Sequence, residues 1–423
     1  MCRRGSWPSS AGSWRAGEQA PVAEVASAAD ALEDMRILDL AEFYSERGGG
    51  VRSYLDKMLA CAGKLGHEVI VVAPGPRDEE THIAESGRIV RYRAPRMPYD
   101  PSYHAPIAVG RMRALVKRFA PDVLQLSSPF VPAWVGATLR VPLRAYVYHS
   151  DPIGCYLTPL AARGGFGRLL EAAAWGYLRR VCATADVTVV SGEWLERELT
   201  GRGFVRVHTV PFGIDHELFG SEQRDAGLRR EILGSLADDP GARLVLIAGR
   251  LAFDKRQLRL IEALEIVARR RPIGLVLLGD GPERARLEAQ ARMLPRFHSV
   301  TFTRDRAEYA RLLASVDALV HGSTCETFGF LLAECLASGT PLVAPDAGGA
   351  RDLAEPEWAE RYPPYAGPEA IAQAIERLFA RPLADLAQRA RARARRLPAT
   401  EDHFRALFEL YAARLTVRSP RAE

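Results

Sequence analysis

Two carboxylates stand eight positions apart in the segment CETFGFLLAE, where Glu326 precedes a Phe-Gly turn and Glu334 lies inside an apolar run. The run predicts a helix that begins near Phe328 and stops at Gly339. Glu326 would lie at the mouth of this helix, with Glu334 about 12 Å away at most. That is about the distance between the hexose and the ribose of a nucleotide sugar, and the free amides of the first turn can receive the charge of a diphosphate. The spacing therefore suggests a nucleotide-sugar site.

Carboxylate pairs at this spacing are also common on solvated helices, so the surrounding sequence is needed to distinguish a binding site from a solvated helix. The segment continues as a helix, a tight turn, an apolar strand and the Gly348-Gly349 loop. The block from His321 to Asp352 resembles the E-x7-E region of the family 4 retaining glycosyltransferases, and the resemblance extends over nearly all of the chain after Met35. It implies the α/β fold called GT-B, in which two Rossmann-like, doubly wound domains face each other across a cleft.

The length and the pattern of apolar segments agree with two domains. A chain of 423 residues is too long for one ordinary core. Short apolar runs alternate with helical stretches, as in parallel doubly wound sheets, and one of the predicted strands covers Val300 to Thr303. We expect an acceptor-binding domain over residues 35–215, a donor-binding domain over residues 216–396, and a C-terminal helix over residues 397–423 that crosses back to the first domain.

Residues 1–34 show no periodic pattern and are interpreted as a disordered or mis-annotated extension, so Met1 and Met35 both remain candidate translation starts. A targeting segment is the alternative, although a continuous apolar region is lacking. No apolar run approaches the roughly 20 residues needed to cross a bilayer. The six cysteines include no CxxC pair, which favours inert thiols in a reducing cytoplasm. We expect a cytoplasmic protein that can associate peripherally with the inner face of the plasma membrane.

Three loops predict the chemistry of the site. Glycines Gly49 and Gly50 open a helix after the first strand, where a bare backbone can approach a diphosphate, although turns also use glycine freely. Arg250 and Lys255 follow the first strand of the second domain and could stabilise a departing nucleoside diphosphate, unless they belong to a solvated basic loop. His149 ends an apolar strand, at the edge where α/β folds bind ligands.

The family resemblance assigns roles to these and further residues. It implies that His149, Arg250, Lys255 and Glu326 are catalytic, and that the donor is bound by Gly49, Gly50, Gly281, Thr303, Arg304, Phe328, Gly329 and Glu334. Arg52 and Asp151 are candidate acceptor contacts, and Asp151 could instead orient His149. Relatives usually have glycine at the position of Thr303, which puts the base-contacting geometry in question. No Asp-x-Asp motif and no cluster of metal-ligand type occurs in the sequence, so no metal and no cofactor is expected.

The resulting prediction is a retaining hexosyltransferase that uses a GDP- or UDP-sugar donor and a lipid or glycan acceptor. Asp352 at the end of the Gly-Gly loop, together with His321 and the segment Glu326-Thr327-Phe328, resembles the pattern of bacterial GDP-mannose-dependent α-mannosyltransferases. The resemblance implies mannose transfer from GDP-mannose. The alternative enzyme is a glycolipid transferase that uses UDP-glucose or UDP-sulfoquinovose. The alternative without enzymatic activity is a catalytically inactive protein that binds a nucleotide. No nucleic-acid motif is present. Two basic stretches could touch an anionic membrane or simply pack as amphipathic helices: Arg111, Arg113, Lys117 and Arg118, and then Arg163, Arg168, Arg179 and Arg180.

Overall fold

The computed structural model describes residues 34–45, 49–83, 87–98, 103–162, 164–301 and 305–418. Residues 1–33 of the proposed extension over residues 1–34, and the predicted donor contacts Thr303 and Arg304, lie outside the described residues. Within these ranges the chain forms two sheets, one in each half, and both are flanked by helices. No helix in the described part is long and apolar enough to cross a bilayer.

The first sheet has eight strands in the order β3-β4-β2-β1-β5-β6-β7-β8, parallel except for the β3–β4 pair. Its strands are β1 (Arg36–Leu40), β2 (Glu68–Gly75), β3 (Glu79–Ile83), β4 (Gly87–Arg93), β5 (Val123–Leu126), β6 (Leu143–Val147), β7 (Val187–Val190) and β8 (Val207–Thr209). The helices are α1 (Gly50–Ala62), α2 (Val109–Phe119), α3 (Val131–Ala137), α4 (Thr158–Ala161), α5 (Gly165–Ala183) and α6 (Glu193–Gly201), with a π-helical turn at Ile153–Leu157.

The second sheet has six parallel strands in the order β11-β10-β9-β12-β13-β14. Its strands are β9 (Arg243–Ala248), β10 (Ile273–Leu278), β11 (Arg296–Val300), β12 (Ala318–Val320), β13 (Leu342–Pro345) and β14 (Ala359–Tyr362). The helices are α7 (Ala226–Leu233), α8 (Gln257–Ala268), α9 (Arg284–Ala291), α10 (Arg306–Ser315), α11 (Phe330–Ala337), α12 (Gly348–Leu353), α13 (Pro368–Phe379), α14 (Leu383–Ala394) and α15 (Thr400–Arg418).

The edge strands differ from the prediction. The strand expected over Val300 to Thr303 overlaps β11 only at Val300, because β11 runs over Arg296–Val300. Residues 302 and 303 lie outside the described residues. Its sequence RFHSV is half-exposed at the edge of the sheet and therefore has no continuous apolar run. The antiparallel strand β3, with the polar sequence EETHI, was missed for the same reason.

Helix α15 joins the two halves into one body. It packs against α1 and β6 of the first half, and Phe404, Phe408 and Tyr411 are fully buried on its inner face. The connection between the sheets contributes Phe212, whose ring stacks on Phe330 of α11 with centroids 5.4 Å apart. Two parallel α/β domains with a C-terminal helix that crosses back confirm the predicted GT-B fold.

Candidate active site

Glu326 and Lys255 form an ion pair at the edge of the second sheet. Lys255 follows β9 and Glu326 follows β12, and the two strands are parallel neighbours, so both loops leave the same edge. The ammonium Nζ of Lys255 lies 2.5 Å from Oε1 of Glu326 and 3.3 Å from Oγ of Ser323. His321 Nε2 lies 3.4 Å from the same carboxylate oxygen. These contacts hold the Glu326 carboxylate in one position.

The surroundings of Glu326 keep it ionised. Burial by itself would raise the pKa of this carboxyl group, but the Lys255 ammonium and the His321 imidazole outweigh burial and hold the pKa well below its usual range. The side chain nevertheless keeps 19% exposure, so it is accessible from the cleft. A carboxylate in this state accepts hydrogen bonds and donates none, which suits it to bind sugar hydroxyl groups.

The Gly348-Gly349 loop positions the backbone of Glu326. The Gly349 amide donates to the Glu326 carbonyl over 2.6 Å. A Cβ atom at Gly348 would lie 2.8 Å from the Glu326 carbonyl oxygen, and one at Gly349 would lie 2.6 Å from that of Thr327. Gly348 also has a φ of +57°, which favours glycine. Side chains at either position would displace Glu326 from the cleft.

Arg250 lies on the same loop as Lys255 but has a different partner. Its guanidinium contacts Asp254 at 2.8 Å, and its side chain is 42% exposed. The turn that contains Gly281 supports the loop, because the Leu251 amide donates to the Asp280 carbonyl over 2.9 Å. Gly281 has a φ of +153°, and a Cβ there would lie 2.4 Å from the Leu251 carbonyl oxygen. Gly281 is therefore required to place the Arg250 loop.

Glu334 is buried in α11 and has two partners on α10. The Tyr309 hydroxyl donates to Oε2 over 2.8 Å, and Arg306 donates to Oε1 over 3.2 Å. Helix α11 starts at Phe330, after Gly329 with a φ of +90°, so the predicted start near Phe328 is two residues early. Glu326 consequently precedes the helix in a loop. Sequence reasoning missed Arg306 and Tyr309, since neither belongs to a motif.

The first domain reaches this site through His149, which lies two residues after the end of β6. The Thr327 hydroxyl donates to the His149 carbonyl over 2.9 Å, and the Ser191 hydroxyl donates to the Thr327 carbonyl over 2.9 Å. These bonds bring His149 next to the segment that carries Glu326. Phe328 is only 7% exposed, because its ring packs edge-on against Phe212 at 5.6 Å. Any contact of Phe328 with a donor would therefore use its backbone.

The glycine loop and the candidate acceptor residues lie on the first-domain side. A Cβ at Gly50 would lie 3.9 Å from the ring of Phe330, so α1 begins beside α11. A Cβ at Gly49 would have no described atom outside its chain neighbours within 4 Å. Arg52 contacts Asp56 and the Ser45 carbonyl, each at 3.2 Å. The Asp151 carboxylate accepts the Gly154 amide of the following turn through Oδ1.

A disulfide joins the two domains beside Glu326. Cys155 of the π-helical turn is bonded to Cys325, which directly precedes Glu326, across 170 positions of sequence. The prediction that all cysteines are inert thiols is therefore wrong for this pair. It holds for Cys61, Cys182 and Cys335, which are buried and unpaired. Residues so far apart meet only because the two sheet edges face each other, which cysteine spacing cannot reveal.

Arg250 and Lys255, on one loop, and Arg306, beside Glu334, supply cationic side chains at the site. Within the described ranges, no group of three or more His, Cys, Asp or Glu residues is arranged to hold a metal ion. Two facing parallel sheets, with an ionised carboxylate and a basic loop at the edge that faces the cleft, form the arrangement that the sequence predicted for a GT-B glycosyltransferase.

Comparisons with known proteins identify the family. The family described as "Glycosyl transferases group 1" matches residues 229–397, and "Glycosyltransferase Family 4" matches residues 48–218. A GDP-mannose-dependent alpha-mannosyltransferase of Mycobacterium tuberculosis is 32% identical over 334 residues, which cover 76% of this chain and 82% of that protein. The chain belongs to the family 4 glycosyltransferases.

A second relative is similar to this chain in sequence, and a solved structure is similar to it in fold. A GDP-mannose-dependent alpha-(1-6)-phosphatidylinositol dimannoside mannosyltransferase of the same organism is 31% identical over 358 residues, covering 82% of this chain and 88% of that protein. The structure of a sucrose-phosphate synthase from Thermosynechococcus elongatus superposes with a TM-score of 0.71 at 22% identity, covering 92% of this chain and 100% of that one. The structural likeness supports the fold alone.

Proposed function

We propose that this chain transfers a mannosyl group from GDP-mannose to a lipid-linked glycan acceptor, with retention of the anomeric configuration. The observation that carries the proposal is the ionised Glu326, held by Lys255 and His321 at the edge of the cleft. The names of the two mycobacterial relatives support mannose as the sugar, and one of them supports a phosphatidylinositol-based acceptor.

The acceptor hydroxyl attacks the anomeric carbon on the face from which the diphosphate leaves, through an oxocarbenium-like transition state. The new glycosidic bond forms as the bond to the diphosphate oxygen breaks, and a diphosphate oxygen takes the proton of the hydroxyl. Glu326 accepts hydrogen bonds from the sugar and is not the nucleophile, because double displacement needs two carboxylates flanking the scissile bond. Arg250 and Lys255 stabilise the negative charge that develops on the diphosphate.

His149 acts in this scheme as a neutral group. Burial, together with the nearby His403, lowers the pKa of the His149 imidazole to about 3. It is therefore uncharged at neutral pH and too weak a base to take the proton of the acceptor. This agrees with a diphosphate oxygen as the proton acceptor and leaves His149 to bind the sugar by a hydrogen bond.

We also propose that the side-chain cations make a divalent metal unnecessary. Lys255 is shared between Glu326 and the arriving diphosphate, and Arg250 can leave Asp254, since its guanidinium is partly exposed. Activity that EDTA abolishes and that only Mg²⁺ or Mn²⁺ restores would contradict this proposal.

The proposed function is tested by supplying GDP-mannose and UDP-glucose in parallel, with a phosphatidylinositol mannoside acceptor. We expect transfer and thermal stabilisation with GDP-mannose, and an α-configured product by NMR. Lys255→Ala should lower turnover roughly 100-fold. The control Arg259→Ala should keep wild-type turnover, because Arg259 is an exposed residue of α8 that pairs with Glu262. A β-configured product, or transfer only from UDP-glucose, would overturn the assignment.

A lipid acceptor requires contact with a membrane, and we propose that the start of α5 provides it. Phe166 and Leu169 are 74% and 66% exposed, and the exposed Arg168 lies between them. An apolar pair next to a cation fits an anionic bilayer. The other basic stretch fits less well, because Arg111 and Arg118 pair with Asp78 and Glu80. Arg163 lies outside the described residues.

Cosedimentation with vesicles tests this surface. We expect binding to phosphatidylglycerol vesicles, weaker binding to phosphatidylcholine vesicles, and loss of binding in a Phe166→Ala/Leu169→Ala variant. Met293→Ala is the matched control, since Met293 is 75% exposed but lies on the second domain. Equal binding by the double variant and the control would reject α5 as the contact.

A further inference from the structure

A chain of hydrogen bonds runs through three neighbouring strands of the first sheet and ends on His149. Asp39 lies in β1, Ser127 directly follows β5, and His149 lies two residues after the end of β6. These strands pair in parallel in that order. The Ser127 hydroxyl lies 2.6 Å from Oδ2 of Asp39 and 3.0 Å from Nε2 of His149. Asp39 and Ser127 are both buried.

The direction of the chain follows from the number of hydrogens. Ionised Asp39 can only accept, so the single hydroxyl hydrogen of Ser127 points to Asp39. The Ser127 oxygen must then accept from His149, which places the ring proton on Nε2. The other ring nitrogen, Nδ1, keeps its lone pair. A neutral imidazole has only these two tautomers, so the choice decides whether its free nitrogen donates or accepts.

Helix α15 fixes the far end of the chain. The amide nitrogen of Gln125 donates to Oδ2 of Asp39 over 2.5 Å. Its amide oxygen accepts the Tyr411 hydroxyl over 2.7 Å, so the amide cannot turn around without losing both bonds. Asp39 therefore faces two donors on the same oxygen, which favours its ionised form in this position.

We propose that Asp39 and Ser127 are positioning residues that hold His149 as the Nε2–H tautomer, so that its Nδ1 presents a hydrogen-bond acceptor to a hydroxyl group of a substrate sugar. The inference rests on the proposed function for the identity of the substrate, but the tautomer itself does not depend on it. Asp39 and Ser127 act through His149 and do not touch the substrate.

The ionisation of Asp39 makes the direction of this chain of hydrogen bonds depend on pH. Burial raises the pKa of Asp39 to about 7, although the bonds from Ser127 and Gln125 lower it. The other titratable groups around it are Tyr54, Tyr411 and His149. Burial raises the pKa of both tyrosines and lowers that of His149, so all three are neutral near pH 7. A protonated Asp39 can donate to Ser127, which frees the Ser127 hydrogen to point at His149 and reverses the chain.

The first test is spectroscopic and independent of activity. In the full-length protein labelled with ¹⁵N-histidine, the His149 signals are assigned by their loss in His149→Gln. Two-bond ¹H–¹⁵N spectra at pH 8.5 should show a protonated Nε2 and an unprotonated Nδ1, with the other tautomer growing in as the pH falls through about 7. A protonated Nδ1 at pH 8.5 would overturn the proposal, even if no glycosyl transfer is ever detected.

The second test uses turnover. Ser127→Ala should lower kcat about tenfold with little change in KM for the donor, the scale of one misplaced hydrogen bond, and Ser127→Thr should recover most of the loss. Asp39→Asn keeps an acceptor oxygen facing Ser127 and Gln125 but cannot titrate, so the acid limb of the kcat profile near pH 7 should disappear. Wild-type kcat in a folded Ser127→Ala, or an unchanged acid limb in Asp39→Asn, would refute the positioning role.

Discussion

Loss of the disulfide between Cys155 and Cys325 should lower the stability of the protein and loosen the contact between its domains. The bond closes a loop across 170 positions of sequence. For a loop of that length, the chain-entropy estimate of disulfide stabilisation is about 5 kcal/mol at 25 °C. Engineered bonds often give less, so this value is an upper limit. For a protein of this size it corresponds to a decrease in Tm of roughly 6 °C.

The assay compares the Tm of the protein prepared without reductant, before and after treatment with a phosphine reductant. The Cys155→Ser/Cys325→Ser variant should have the Tm of the reduced wild type, with or without reductant. It is the control for effects of the reductant elsewhere in the protein. Hydrogen exchange should accelerate at residues 149–158 and 323–329 when the bond is absent.

Two results would refute this reasoning. Alkylation of both Cys155 and Cys325 in native, unreduced protein would show that the bond does not form. An unchanged Tm and unchanged exchange after complete reduction would show that the remaining bonds across the cleft, from Thr327 and Ser191, already fix the domains.

Three further predictions concern the ionisable groups. Glu334→Gln should mainly raise KM for the donor, because ribose contacts do not change during reaction, whereas Glu326→Gln should mainly lower kcat. The same steady-state pattern for both variants would contradict the placement of the sugar at Glu326 and the ribose at Glu334. Lys255→Ala should raise the pKa of Glu326, because its main charge partner is lost, so activity should fall at a higher pH on acidification than in the wild type. Folded Asp39 keeps its proton up to about pH 7 whereas the unfolded group loses it near 3.8, so wild-type stability falls as pH rises through this window. The free energy of unfolding of Asp39→Asn, measured relative to the wild type by denaturant titration, should therefore increase by about 4 kcal/mol between pH 4 and pH 8. A difference that does not change with pH would show that Asp39 is not buried as an acid.

The central strands and the site loops could be predicted because the sequence repeats a simple pattern there. Strands β9 and β10 are apolar apart from Arg243 at the start of β9, so their sequences indicate buried strands. Edge strands such as β3 and β11 are polar and half-exposed, so their sequences resemble loops. Prediction from apolar runs succeeds only where the sheet is buried on both faces.

The partners of the site residues were harder to predict than the residues themselves. Motifs identified Glu326 and Lys255, but the bond between them depends on β9 lying next to β12, an order that skips two strands of the sequence. Asp39 could not be identified from the sequence, because it lies in a strand that carries no motif. Its contact with Ser127 requires β1 and β5 to pair, which no local pattern specifies.

Both halves of the site contain a carboxylate removed from bulk water, and their partners give them opposite properties. Asp39 has neutral hydrogen-bond donors, so burial dominates and its pKa rises to about 7. Glu326 has an ammonium group, so its pKa falls well below the usual range. The lasting negative charge of the site therefore lies beside Lys255, on the side proposed to bind the donor. The first domain contributes a neutral His149 with a pKa of about 3. A base of that strength cannot compete with a diphosphate oxygen for the acceptor proton, so the charges favour a reaction in which the leaving group takes that proton.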